Sequence, residues 1–267
     1  MRRVIRTFPT STSPVLVDTD VGQGYVKALG NPQGPHALAC EYIGTRLAEW
    51  FRLSVFDFAI IELSDEDELP LSNGGLAEPG PAFITRSEKG EPWSGELKQL
   101  SLLENSDEIS RLVVFDTWTL NCDRYSTHIY QEVPRIRENK RNVFLSSETD
   151  APGKLSLRIM DHTCCFSCGH DLSPALGHLD TIQDTRLFGL FPAFRQYIER
   201  SLVQSAISDL RNVVRSEVDS MLSEVRRQWN LDARTRSALL ELIVRRAEYV
   251  ADSIERRLFP ENELFPS

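Results

Sequence analysis

Lysine is scarce in this chain: five stand at positions 27, 89, 98, 140 and 154, and arginine supplies the other 25 of the 30 basic residues. Where arginine serves the ordinary surface, a retained lysine draws notice as a compact point charge that a forked guanidinium does not imitate. Cysteine is also sparse. The five present are odd in number and three crowd at 164, 165 and 168, which excludes a secreted disulfide framework and fits a reducing compartment. No uninterrupted apolar run reaches bilayer-spanning length, and the charged start Met1-Arg2-Arg3-Val4-Ile5-Arg6 is broken at Pro9 before any signal-peptide core forms. There is no block of basic residues, and the net charge of −9 repels polyanions, so no nucleic-acid and no membrane partner is expected. The expected location is cytoplasmic.

What is present, 267 residues with 41 % apolar content, suffices for one large core or two lobes. The first part is β-rich, with strands expected over 4–8, 15–19 and 25–29 and a glycine turn through Asp20, Gly22 and Gly24. Leu38, Tyr42, Ile43, Leu47, Ala48 and Phe51 recur at helical spacing and predict a helix over 36–51. The apolar run Phe58, Ala59, Ile60, Ile61 predicts a central strand over 56–63; an acidic, turn-rich loop fills 64–80 and a strand follows over 81–86. A buried helix is expected over 112–120, a hairpin from 142–146 and 155–160, and helices from 180 to 258, with Trp229, Phe188, Phe191 and Phe194 in their core.

Two short stretches carry the chemistry. Asn121-Cys122-Asp123-Arg124 follows the predicted helix, and Met160-Asp161-His162 ends the hairpin. Phosphoryl transfer asks for one carboxylate to orient and take the proton of an attacking hydroxyl and another to hold the metal that bridges the phosphates. Asp123 and Asp161 have those places. Lys27, on a strand pattern, can reach a phosphate oxygen, and Glu41, on the first helix, can pair with it. The bland alternatives are an exposed strand lysine, a solvated helix glutamate and a plain two-glycine turn.

In this order, Gly24-Tyr25-Val26-Lys27, Ala37-Leu38-Ala39-Cys40-Glu41, the run from Phe115 to Arg124, Arg141-Asn142-Val143-Phe144-Leu145 and Ile159-Met160-Asp161-His162-Thr163 resemble the HipA-like kinases over about 14–170. The resemblance implies an α+β, two-lobed protein-kinase-like fold with a small β-rich N-lobe (1–86) and a larger, mostly helical C-lobe (87–267). It implies ATP and Mg2+ as cofactors and a protein Ser/Thr hydroxyl as acceptor, with an antitoxin-like or regulatory protein as a further partner. Residue by residue, it makes Lys27 the phosphate contact, Glu41 its positioning partner, Asp123 the base and Arg124 the tether of the catalytic loop. It also makes Gly22 and Gly24 the glycine turn over the nucleotide, Phe83 and Ile84 the adenine contacts, and Asp161 the metal ligand. The family's second metal ligand, an Asn about five residues after the base, is replaced by His128; residues 129–140 resemble an insertion, and Asn142 is the preferred ligand.

Other readings compete. A degraded, nucleotide-binding pseudokinase acting as a scaffold, and a lipid or small-molecule kinase, fit the same residues. His162, Cys164, Cys165, Cys168 and His170 offer zinc-type ligands, but without the separated ligand pairs of structural sites they are taken as ordinary thiols and imidazoles. A Cys–His nucleophile lacks an orienting third group, and no Gly-x-Ser-x-Gly elbow supports a serine hydrolase.

Overall fold

The computed structural model describes residues 3–130 and 133–260. Strands β1 (Arg3–Thr7), β2 (Val15–Asp18), β3 (Gln23–Lys27), β4 (Phe58–Leu63) and β5 (Gly80–Arg86) form one antiparallel sheet in the order β1-β2-β3-β5-β4. The strand expected to be central, β4, therefore lies at an edge. Its unbroken apolar run has another cause: both faces are covered, since Phe58 and Ile60 pack on the main core while Ile61 joins a smaller cluster with Val15, Val17, Val26 and Leu63. Alternation in β3 sends Val26 into that cluster and leaves Tyr25 and Lys27 on the opposite face.

Helix α1 (Pro35–Trp50) crosses between the sheet and the rest of the molecule. Proline at its first turn donates no N–H where none is needed, and its apolar residues are buried on nearly all sides. Tyr42 donates to Glu224, Arg46 reaches the same carboxylate at 2.7 Å, and His36 Nε2 lies 2.9 Å from the carbonyl of Asn230. Trp229, expected in a purely C-terminal core, instead donates through Nε1 to the Pro81 carbonyl at 3.1 Å and packs against Tyr42, so it joins the sheet to the helices.

Past the sheet the chain forms β6 (Gly90–Pro92), short α2 (Leu97–Leu100) and α3 (Glu108–Thr119). Leu120 ends α3 in the left-handed region at φ 56° and turns the chain into Asn121, Cys122 and Asp123. β7 (Tyr125–Tyr130) and β8 (Val133–Glu138) pair as an antiparallel hairpin, whose second strand falls within 129–140. β9 (Val143–Ser146) and β10 (Ser156–Ile159) pair antiparallel as predicted, with β6 on the outer side of β9.

After Asp161 the helices are more broken than their stripe suggested: α4 (Leu179–Ile182), a 3-10 segment Pro192–Tyr197, then α5 (Arg200–Arg211), α6 (Arg215–Ser223) and α7 (Ala233–Leu258). Pro192 and the left-handed Gly189 interrupt the first part. Phe188, Phe191, Phe194 and Trp93 fill a buried aromatic layer beneath α3. Among the described residues, no helix is long and apolar enough to cross a membrane.

The end of α3 is held by one buried cation. Arg246, from the middle of α7, donates to the carbonyls of Thr117 (2.7 Å) and Trp118 (3.0 Å) at the C-terminus of α3 and to those of Ile182 and Asp184. A cation there meets the negative end of the helix dipole as well as orphan carbonyls. Burial lowers its guanidinium pKa, to about 10, so it stays charged at neutral pH. Arg246→Leu should strand these buried acceptors and cost about 3 kcal/mol in urea unfolding, and Arg246→Lys should recover only part of it.

Candidate functional site

Lys27, at the end of β3, sits between two carboxylates, with Nζ 3.0 Å from Glu41 Oε2 on α1 and 3.0 Å from Asp161 Oδ1 after β10. Burial works against the ammonium, but Asp161 and Glu41 together outweigh it and raise its pKa. Asp161 is the converse: burial opposes ionisation, yet Lys27 and the Thr163 hydroxyl, donating at 2.8 Å, hold its pKa below the usual range. Burial raises the Glu41 pKa against the pull of Lys27. Sequence reasoning thus named three side chains that the fold brings into one cluster.

The backbone around Asp161 is set by α1. Asp161 has φ 60°, a left-handed conformation rare outside glycine that carries the chain sharply past Glu41. Glu41 Oε2 accepts the His162 amide at 2.9 Å, and His162 Nδ1 lies 3.1 Å from Thr45 Oγ1, which itself donates to the Glu41 carbonyl. Burial brings the His162 pKa down to about 3, so the ring is neutral. This close approach needs Gly44: a Cβ there would stand 2.4 Å from His162 Cβ.

Arg124 is wholly buried and touches three segments at once. It pairs with Asp116 on α3, donates through Nε to the Asn142 carbonyl at 3.1 Å, and through Nη2 to the Met160 carbonyl at 2.9 Å. It therefore ties the loop of Asp123 to the residues that precede Asp161. Gly189 closes the other side of Asp116, at φ 73° and with no room for a side chain.

The carboxylate of Asp123 accepts from Asn142 Nδ2 at 2.7 Å and Asn139 Nδ2 at 3.1 Å on Oδ2, and from Arg137 on Oδ1. Arg137 and Asn139 were not singled out in the sequence, where nothing distinguishes them from neighbouring polar residues; the hairpin register places them. The side chain of His128 lies outside the described residues.

Lys27, Glu41, Asn142 and Asp161 line one cavity of about 350 Å³, whose walls include Tyr25, Phe56, Phe83, Phe144 and Met160. Its wall combines these aromatic and apolar side chains with charged ones, Arg86, Glu88 and Arg141 among them, a mixture suited to a flat ring carrying charge. Phe83 lines it. Ile84, next along β5, faces the smaller cluster and packs over Gly24, and neither Gly22 nor Gly24 is part of the wall. Arg124 also lies outside the wall, and Asp123 reaches it through Asn142. A larger open groove of about 920 Å³ between α5 and α7 is lined by Arg200, Arg211 and Glu255 and is remote from these carboxylates.

Asp161 and Asn142 offer a carboxylate and a carboxamide on the same wall, hard oxygen donors that suit Mg2+, which keeps several waters and takes few protein ligands. The residues fit that ion. Cys165 points at Thr119 and Cys168 at the Leu120 carbonyl, while His162 turns to Thr45, and among the described residues no three His, Cys, Asp or Glu side chains converge on a metal position. Gly44→Ala should raise intrinsic helix propensity by about 1 kcal/mol yet lower stability by about 2 kcal/mol net through its clash with His162, measured by urea unfolding together with faster amide exchange at His162.

Among curated proteins none matches this sequence. The chain is similar in fold to a proinflammatory kinase of Helicobacter pylori, CtkA, whose crystal structure superposes with a TM-score of 0.60 at 10 % identity over 94 % of this chain and 92 % of that one. The model of the HipA-like kinases matches residues 3–259. A match of that extent, over a fold that joins Lys27, Glu41 and Asp161, places the chain in the HipA-like kinase family.

Proposed function

We propose that this protein is an ATP- and Mg2+-dependent cytoplasmic kinase that transfers the γ-phosphoryl group of ATP to a hydroxyl of a protein Ser or Thr. The observation that carries the reading is the Lys27 ammonium, 3.0 Å from both Glu41 and Asp161 in a cavity that aromatic side chains also line. An ammonium has three N–H donors, and two are used here, so one is left for a phosphate oxygen. The aromatic side chains of Tyr25, Phe83 and Phe144 in the cavity wall have the chemistry to take a purine ring.

Asp161 and Asn142 are the residues that would hold Mg2+, which would supply positive charge to offset that of the nucleotide phosphates. Asp123 orients the acceptor hydroxyl and takes its proton. Its Oδ2 is fixed by Asn139 and Asn142, and its backbone is fixed by the Arg124 tether, so the carboxylate need not search for its position. Glu41 holds Lys27, and through the His162 amide it also fixes the turn that presents Asp161. The preorganised charges are those a phosphoryl-transfer site requires, and little covalent chemistry is asked of the protein.

Asp123→Ala should leave magnesium-dependent ATP binding within about threefold of the parent by calorimetry while lowering label transfer from γ-labelled ATP by about a thousandfold. Asp161→Ala should lose the magnesium dependence of binding as well. Parental transfer by Asp123→Ala would remove the base assignment. Lys27→Arg keeps the charge but not its compact shape, and turnover should fall by at least about a hundredfold because the longer, planar fork does not fit the gap between Glu41 and Asp161 that the ammonium fills.

A further inference from the structure

The hairpin β7–β8 is an arm held at its base. Its base is anchored on both sides: Ser126 Oγ donates to the Cys122 carbonyl at 2.9 Å, Gly189 N–H to the Tyr125 carbonyl at 2.8 Å, and Asn139 N–H to the Arg124 carbonyl at 2.9 Å. Ser126 stands opposite Arg137 in the ladder, so the register that anchors Ser126 also sets the height at which Arg137 leaves β8. From there Arg137 spans back to Asp123 Oδ1, with Nη1 3.8 Å from Cys122 Sγ, and its side chain remains 47 % exposed.

The local sequence gives this arginine a task. The residue after the base, Arg124, is a cation, but it is buried and committed to Asp116 and two carbonyls. The next residues, Tyr125 and Ser126, carry no charge. Lys27 is held by Glu41 and Asp161, and Arg141 lines the cavity beside Asn142, whereas Arg137 is the cation paired with Asp123 itself. A phosphoryl group passing to a hydroxyl on Asp123 spreads negative charge over its equatorial oxygens, and a guanidinium beside the acceptor stabilises that charge, as arginines supplied from outside the nucleotide pocket do in other phosphotransferases.

We propose that Arg137 is a catalytic residue: its guanidinium contacts the phosphoryl group in transit while it keeps Asp123 in place. This rests on the kinase reading above. In the step, the bond from the γ-phosphorus to the β,γ-bridging oxygen breaks and ADP departs. A P–O bond forms to the acceptor hydroxyl, whose proton passes to Asp123. Arg137 remains protonated throughout.

The test compares parent and Arg137→Met by calorimetry with Mg2+ and ADP, then with Mg2+, ADP and aluminium fluoride, a planar mimic of the transferring group. The expected result is ADP binding within about twofold in both proteins, a much tighter ternary complex in the parent, and a loss of about a hundredfold in that complex for Arg137→Met, partly restored by added methylguanidinium. Rescue by a free guanidinium separates a chemical role from a merely structural one. Equal fluoride complexes in the two proteins, or label transfer that rises in Arg137→Met because the arginine only blocks Asp123, would overturn the proposal and leave the kinase reading standing. No ADP binding by the parent would overturn both.

Discussion

Arg124 is the tie on which the arrangement of the site depends. Its guanidinium is fully buried and binds Asp116, the Asn142 carbonyl and the Met160 carbonyl, so three chain segments that meet nowhere else in sequence share one rigid, planar partner. A fork of fixed geometry transmits position well because its donors cannot move independently. Asp123 then stands at a set distance from Asn142, and the turn at Asp161 begins from a fixed Met160. Burying such a charge is costly unless it is paired and its hydrogen bonds are satisfied, and Asp116 and the two carbonyls meet that condition.

The rest of the electrostatic design follows from keeping the charges paired across lobes. Lys27 comes from the sheet, Glu41 from the connecting helix and Asp161 from the second lobe; each carboxylate would be harder to ionise in its buried place without the ammonium. That three-way pairing explains why a chain so rich in arginine keeps a lysine at this position. A planar fork could not approach two carboxylates and a third anion from one small centre.

Much of this was legible in the sequence because it is local. The helix before Asp123, the β9–β10 hairpin before Asp161 and the strand of Lys27 each follow from periodicity and turn chemistry over a few residues, and the order of the motifs pointed to the family. What the sequence hid is tertiary. Gly44 is an unremarked helix residue until His162 is seen against it, and Trp229 belongs to a C-terminal helical stretch until its indole is found on Pro81. The edge place of β4 was masked because covering both faces of a strand gives the same unbroken apolar run as a central position. Arg137 on β8 and Asn139 just after it are brought to Asp123 by the pairing of β8 with β7, which composition does not show.

Helix α1 bears on one further matter, the way such a site can be switched. It is clamped from the C-terminal side by the Tyr42–Glu224 and His36–Asn230 contacts and by Trp229. Separating Glu41 from Lys27 would require pulling this helix off a shared core, breaking those contacts and exposing Ile43 and Leu47 to water. The helix is thus a fixed wall rather than a lever, and the Lys27–Glu41 pair is the resting condition of the molecule.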